Sequence, residues 1–354
     1  MATMMMKCQH LTAFRQDLVP FEKPVPTLTG SEVLLKVLAA GVCHSDLHMW
    51  EGGIDLGNNE SLSFASRCKF PHTMGHETSG EVLALGPEAS GIAVGDKCLV
   101  CSWIGCGECA FCKEGEEHLC TAPRFLGVHR DGGYADHIVV PHARYLIDLK
   151  GLDPVSAAPL ACSGLTTFSA LKKAGPRLLR EPIVVIGAGG LGLMGLNILD
   201  IMGGKGAVVV EIDPLKRQVA LDCGALAAID PAAPDADQQI RQAVGGAIHF
   251  VLDLVGSGET AALGFRLLDR GGKMVVVGLF GGAMSLSVPL VAMRSATIQG
   301  SYIGSPTELR ELMALIQSSR MPRMPLDRRR LDDANQALVD LRAGKVVGRV
   351  VLIP

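Results

Sequence analysis

Ile183-Val184-Val185-Ile186-Gly187-Ala188-Gly189-Gly190-Leu191-Gly192 is the stretch that decides the fold. Four apolar residues read as a buried strand, the glycine string fits G-x-G-x-x-G, and the apolar residues after it read as a helix. Gly187 permits a tight turn, Gly189 lets a ligand approach the backbone, and Gly192 lets the helix pack close to the strand; Gly190 lies between them at the helix start. The helix N-terminus offers free N–H groups and a partial positive charge to phosphates. A string of this kind is weak on its own. Here it follows a strand, opens a helix, and is followed about 20 residues on by an acid, Glu211, at the end of the next apolar run. A carboxylate there would bind ribose hydroxyls and repel a 2′-phosphate, so NAD is expected rather than NADP. Asp213 competes for that role, and the sequence favours Glu211 by its place at the strand end.

Working outward, Ala207–Ile212, Phe250–Leu254 and Lys273–Val277 read as further strands with helical segments between them. Strands alternating with helices imply a parallel, doubly wound α/β sheet. The uncharged run Ile183–Leu199 approaches membrane-span length, but its five glycines and strand-like start favour a buried strand, turn and helix. Towards the N-terminus the chain is β-rich instead, with strands expected at Glu32–Leu38, Glu81–Leu85, Asp96–Val100 and Tyr134–Val140. After the alternating region come a helix over Thr307–Gln317, a basic loop, another helix and a strand over Val347–Leu352.

The 354 residues suit two domains. Hydrophobic residues make up 48% and aromatics only 4%, so the core rests on aliphatic packing. A net charge of −3 argues against a nucleic-acid partner, which needs a basic patch. Met1–His10 lacks the apolar core of a signal peptide, and a soluble, cytoplasmic protein with no membrane partner is expected. In that setting the eleven cysteines point to metal sites before disulfides.

Cys106, Cys109, Cys112 and Cys120 follow the spacing C-x2-C-x2-C-x7-C, and Gly105, Gly107 and Gly115 allow the turns that wrap a small loop around an ion. Four thiolates close a tetrahedral zinc shell, leaving no open position, so this site is structural. An iron–sulfur cluster is the minor competitor. Three further residues stand in suggestive strings: Cys43 in Gly41-Val42-Cys43-His44-Ser45-Asp46-Leu47-His48, His76 in Gly75-His76-Glu77, and Cys162 in Leu160-Ala161-Cys162-Ser163-Gly164. Spacing alone does not join them.

Together these strings, the four-cysteine lobe, the glycine fingerprint and Gly348-Arg349 resemble the medium-chain, zinc-dependent alcohol dehydrogenase family. They run from one end of the chain to the other. The resemblance implies a GroES-like, β-rich catalytic domain from residues 1–163 and 303–354, with the structural zinc lobe at 105–120. It implies a Rossmann NAD-binding domain at residues 164–302. It implies two zinc ions per subunit and the reversible, NAD-linked interconversion of a primary or secondary alcohol and its carbonyl compound. Cys43, His76 and Cys162 would hold the catalytic zinc, with Glu77 able to approach it and Asp46 orienting His76. Ser45 and His48 match a proton relay. His44 and Arg349 match pyrophosphate contacts, Lys216 an adenosine contact, and Thr166, Leu191 and Val277 positions around the nicotinamide. Trp50 and Trp103 match positions lining the substrate pocket. The segment 51–74 is longer than in compact members, and reads either as a cover for the cleft or as a surface loop. The strand around Ile298–Ile303 would pair between subunits, giving a homodimer or homotetramer. The alternatives are a polyol or sugar dehydrogenase, a zinc-free reductase of the same fold, and a non-catalytic NAD-binding protein. Cys8, Cys68, Cys98, Cys101 and Cys223 have no assigned role.

Overall fold

The computed structural model describes residues 4–354. Six parallel strands form one sheet in the order Ala227–Ile229, Ala207–Val210, Ile183–Ile186, Phe250–Asp253, Lys273–Val276, Thr297–Gly300. The sheet starts in its middle, at Ile183–Ile186, and grows outward in both directions, which is the dinucleotide-binding order. Its three central strands, Ala207–Val210, Ile183–Ile186 and Phe250–Asp253, are buried throughout, as expected for a parallel sheet covered by helices on both faces. The crevice outside the carboxyl ends of the strands, where the order reverses, begins at Gly187.

The second sheet is largely antiparallel. Its path runs Leu146–Asp148, Lys97–Val100, Glu77–Leu85, Val33–Val42, Arg349–Ile353, Leu326–Arg330, and His137–Val140 also pairs with Val33–Val42. Val350, Val351 and Leu352 pair with Val42, Gly41 and Ala40. The C-terminal strand therefore lies directly against the strand that delivers Cys43. A small third sheet pairs Met5–Leu11 with Val19–Pro24 and with His72–Thr73.

Several boundaries differ from the sequence expectation by a few residues, two of them for clear local reasons. The run Ala207–Ile212 stops as a strand at Val210, because the Glu211 carboxylate turns back to accept from the Ala188 N–H and Asp213 caps the helix Pro214–Asp222. Tyr134 lies before the strand His137–Val140 rather than in it: the Tyr134 N–H donates to Met74 O, and its carbonyl accepts from Gln9 N–H. The helix read over Thr307–Gln317 spans Pro306–Ser318, opened by a capping box of Ser305 and Glu308. Among the described residues, no helix is long and apolar enough to cross a membrane.

Segment 51–74 contains a hairpin, Gly53–Gly57 with Glu60–Ser63. Asn58 and Asn59 both have positive φ, 54° and 64°, the requirement of a two-residue type I′ turn. The hairpin reaches the loop after the strand Lys273–Val276. A Cβ on Gly57 would stand 2.6 Å from the Ala283 nitrogen, so a side chain there would force the two apart.

Candidate functional site

Cys43 follows the strand Val33–Val42 and caps the helix His44–Glu51, its N–H held 2.8 Å from Asp46 Oδ2. His76 precedes the strand Glu77–Leu85, and Cys162 precedes the helix Ser163–Lys172. These three elements bring the ligand atoms of Cys43, His76, Glu77 and Cys162 within 4.8 Å of one another, all four residues buried. The two sulfurs are 4.0 Å apart. A tetrahedral zinc shell with bonds of about 2.3 Å spaces its sulfurs by about 3.8 Å.

The donor chemistry fits a zinc ion. His76 Nδ1 lies 3.2 Å from Asp46 Oδ1, and its Nε2 is buried with no protein partner. A buried imidazole nitrogen left unpaired is costly unless it binds something. The Cys162 thiol donating to Cys43 holds the Cys43 thiol well below its ordinary value against burial, and Arg349 and His76 assist. A thiolate is the form that binds metal. Burial opposes a charge on His76, but Asp46 and Cys43 outweigh it and raise its pKa well above the usual value. Burial pushes Glu77 up to about 7, although Arg349 pairs with it.

The second cluster, Cys106, Cys109, Cys112 and Cys120, lies in the loop around the helix Ala110–Lys113. Its sulfur separations of 3.5, 3.8 and 3.9 Å match the same tetrahedral spacing. The Glu108 and Cys109 N–H groups point at Cys106 Sγ and bring its thiol down to about 6. A Cβ on Gly105 would stand 2.4 Å from Cys112 Sγ, so glycine is required for the loop to close. The buried Glu117 carboxylate ties the lobe down, accepting from Gly105 N–H and from the Tyr145 hydroxyl.

The dinucleotide crevice adjoins the first cluster. Gly187 has φ +97°, and a Cβ on Gly192 would stand 2.1 Å from Gly187 O, while one on Gly189 would meet nothing within 4 Å. Gly187 and Gly192 are thus needed for the turn and the packing, and Gly189 faces open space where a phosphate fits. Glu211 lies beside this loop, its carboxylate 2.7 Å from the Ala188 nitrogen. Asp213 is occupied as a helix cap, accepting from Leu215 and Lys216 N–H. Lys216 Nζ lies 4.0 Å from Asp213 Oδ2. The half-buried Leu191 is the second residue of the helix Gly190–Ile201, Val277 follows the strand Lys273–Val276, and Thr166 lies one helical turn beyond Cys162. His44 sits across the crevice from Phe280, with ring centroids 6.4 Å apart. Arg349 pairs with Glu77 and packs against the loop, because a Cβ on Gly190 would stand 2.8 Å from its guanidinium.

Ser45 Oγ lies 3.8 Å from Cys43 Sγ. His48, one turn further along the helix, is mostly buried, and its ring packs on His44 at 5.4 Å. Burial, with His44 beside it, pushes the His48 pKa below the usual histidine value. Trp103 covers the His76 ring at 5.3 Å and donates its indole N–H to Ala161 O. Trp50 is not brought to this group. Its indole N–H donates to Gln16 O and its ring lies under Arg342, 5.3 Å away, on the side of the helix that packs against the C-terminal helix.

Two polar groups at the site escaped the sequence reading. The Ser102 hydroxyl donates to the His76 carbonyl at 2.7 Å. The Tyr134 hydroxyl donates to Asp46 Oδ2 at 3.0 Å. The sequence signal for Tyr134 is the preceding pair Gly132-Gly133, which lets its chain run close to Gly75.

Comparison with known proteins agrees with this architecture. Residues 29–151 match the alcohol dehydrogenase GroES-like domain family, and residues 190–318 match the zinc-binding dehydrogenase family. NAD-dependent alcohol dehydrogenases of Sulfurisphaera tokodaii and Saccharolobus solfataricus are each 36% identical to this chain, over 99% of it and 100% of their own lengths. The crystal structure of the alcohol dehydrogenase from Aeropyrum pernix superposes with a TM-score of 0.87 at 30% identity, covering 98% of this chain and 100% of that one. The chain therefore belongs to the medium-chain, zinc-dependent alcohol dehydrogenase family.

Proposed function

We propose that this protein is an NAD-linked, zinc-dependent alcohol dehydrogenase that reversibly interconverts a primary or secondary alcohol and its carbonyl compound. The observation that carries this reading is the buried Cys43–His76–Cys162 set lying next to an open dinucleotide loop, with Arg349 touching both. When bound, zinc would supply Lewis acidity, which brings the pKa of a bound hydroxyl down towards neutrality, and NAD would supply a hydride acceptor.

The chain's own residues then have defined tasks. Cys43, His76 and Cys162 hold the metal, and Asp46 fixes the orientation of His76. Ser45 accepts the substrate hydroxyl proton beside Cys43 as its own hydroxyl proton passes on. His48, kept neutral near pH 7 by burial, receives that proton and passes it towards solvent. Trp103 shields the His76 face from water. Gly189, Gly190 and Arg349 bind the pyrophosphate with His44, and Glu211 binds the adenosine ribose. Thr166, Leu191 and Val277 pack around the nicotinamide, and Lys216 lies near the adenosine. The four-cysteine lobe holds a second, structural zinc.

We assign residues 1–163 and 303–354 to the catalytic domain and 164–302 to the NAD-binding domain. A homodimer or homotetramer is supported by the open edge strand Thr297–Gly300 and by the helix Val288–Arg294 beside it, which buries no side chain and exposes Val288 and Met293. A cytoplasmic setting is supported by the eleven cysteines, none of which is paired in a disulfide.

The test is NADH formation from a panel of simple alcohols and polyols, run on the native protein and on Cys43→Ser. The proposal expects turnover of simple alcohols that Cys43→Ser abolishes while NAD still binds. Polyol-only turnover would move the protein to the sugar dehydrogenases, and a fully active Cys43→Ser would end the assignment of Cys43.

A further inference from the structure

Asp46 holds His76, and the Asp46 carboxylate is itself held from two further directions. Its Oδ1 faces His76 Nδ1 at 3.2 Å, and its Oδ2 accepts from Cys43 N–H at 2.8 Å and from the Tyr134 hydroxyl at 3.0 Å. Asp46 is 1% exposed and Tyr134 is fully buried. In so dry a place each hydrogen bond to a carboxylate is strong, and donors to one carboxylate share its charge. The Tyr134 hydroxyl competes with His76 for the charge of one carboxylate.

The backbone repeats the connection. Gly133 N–H donates to Gly75 O and Tyr134 N–H to Met74 O. Gly75, with φ +94°, is the residue before His76, and a Cβ there would stand 2.4 Å from the Tyr134 ring. The ring thus packs against the turn that aims the imidazole, while the hydroxyl reaches the carboxylate that orients it.

We infer that Tyr134 is a positioning residue for the catalytic metal: its hydroxyl bond to Asp46 sets how firmly and how strongly His76 is presented as a ligand. The inference rests on the reading that Cys43, His76 and Cys162 hold a metal ion. Outer partners of metal-bound histidines typically change metal affinity by about 10–100-fold when removed.

The experiment uses Tyr134→Phe, which keeps the ring against Gly75 and removes only the hydroxyl, and a ring-fluorinated tyrosine at the same position, whose more acidic hydroxyl donates more strongly. Cobalt is exchanged into the Cys43–His76–Cys162 site of the full-length protein, and its visible bands and its release to a chelator are followed. Tyr134→Phe frees Asp46 to move and is expected to lose metal faster, by up to about tenfold, the lost positioning outweighing the extra charge left for His76. The cobalt bands are expected to shift in opposite directions in the two proteins, because one removes the pull on Asp46 and the other strengthens it. Tyr145→Phe, which removes another buried tyrosine hydroxyl bound to Glu117, is expected to leave those bands in place. Unmoved bands in the fluorinated protein overturn the inference, whatever Tyr134→Phe does and even if it fails to fold. A wild-type protein that takes up no cobalt at this site overturns the metal reading itself, whereas uptake with identical variants overturns only the role of Tyr134.

Discussion

Arg349 and Glu77, separated by 272 residues of chain, form an ion pair in which the arginine side chain is 6% exposed and the glutamate 0%. The same guanidinium packs against Gly190. One side chain from the C-terminal strand thereby joins the metal cluster to the dinucleotide loop.

Breaking that pair leaves an uncompensated buried charge. Arg349→Leu should lower unfolding stability by about 3–5 kcal/mol, read as a lower urea midpoint at unchanged slope. It should also weaken NAD binding, measured by quenching of tryptophan fluorescence. Glu77→Gln, which strands a buried guanidinium that cannot lose its charge, should cost at least as much as Arg349→Leu, because the Glu77 left by Arg349→Leu can take up a proton.

Removing one thiol from the four-cysteine lobe should cost its metal and leave the other site intact. Cys112→Ser is expected to reduce bound zinc by one ion per subunit and to make residues 105–120 the first point of proteolytic cutting. The check is elemental analysis combined with mapping of the cleavage fragments. An unchanged zinc content would show that the lobe holds no metal.

Glu211 should discriminate between cofactors. Its carboxylate sits beside the glycine loop and would repel a 2′-phosphate. Glu211→Ala is expected to lower the NAD over NADP preference in kcat/KM by about tenfold or more, which is about 1.4 kcal/mol. An unchanged ratio would assign the ribose to another residue.

Acid should destabilise the fold through a histidine group far from the metal ligands in role. Burial pushes His10, His72 and His129 below the usual histidine value, with Lys23, Arg67 and Asp131 as the nearby charges. Below about pH 6.5 the unfolded chain binds protons that the folded chain refuses. This contribution is complete above the unfolded value and is lost as pH falls towards the lowered folded values. His10→Gln should therefore show a smaller stability loss between pH 7.5 and 5.5 than wild type, by up to about 1.4 kcal/mol per unit of depressed pKa. Parallel denaturation curves at the two pH values provide the measurement.

The dinucleotide half of the molecule was legible because its parts are local. The strand Ile183–Ile186, the glycines and Glu211 lie close in sequence and carry their own turn and helix-start chemistry. The four-cysteine lobe was legible for the same reason. Cys43, His76 and Cys162 were joined only through a family resemblance, since their meeting depends on the sheet that brings Val33–Val42 beside Glu77–Leu85. Trp50 shows the limit of that route. A position carried over from a family says nothing of Gln16 and Arg342, which hold its indole elsewhere. Ser102 had no readable signal and Tyr134 only the glycine pair before it, because a hydroxyl's partner is set by long-range packing.

The most direct test of the central claim is zinc per subunit, measured by elemental analysis on protein assayed in parallel for NADH formation from alcohols. Active protein should hold two zinc ions, falling to one with loss of turnover in Cys162→Ser. Full activity in protein carrying only the four-cysteine zinc would contradict it.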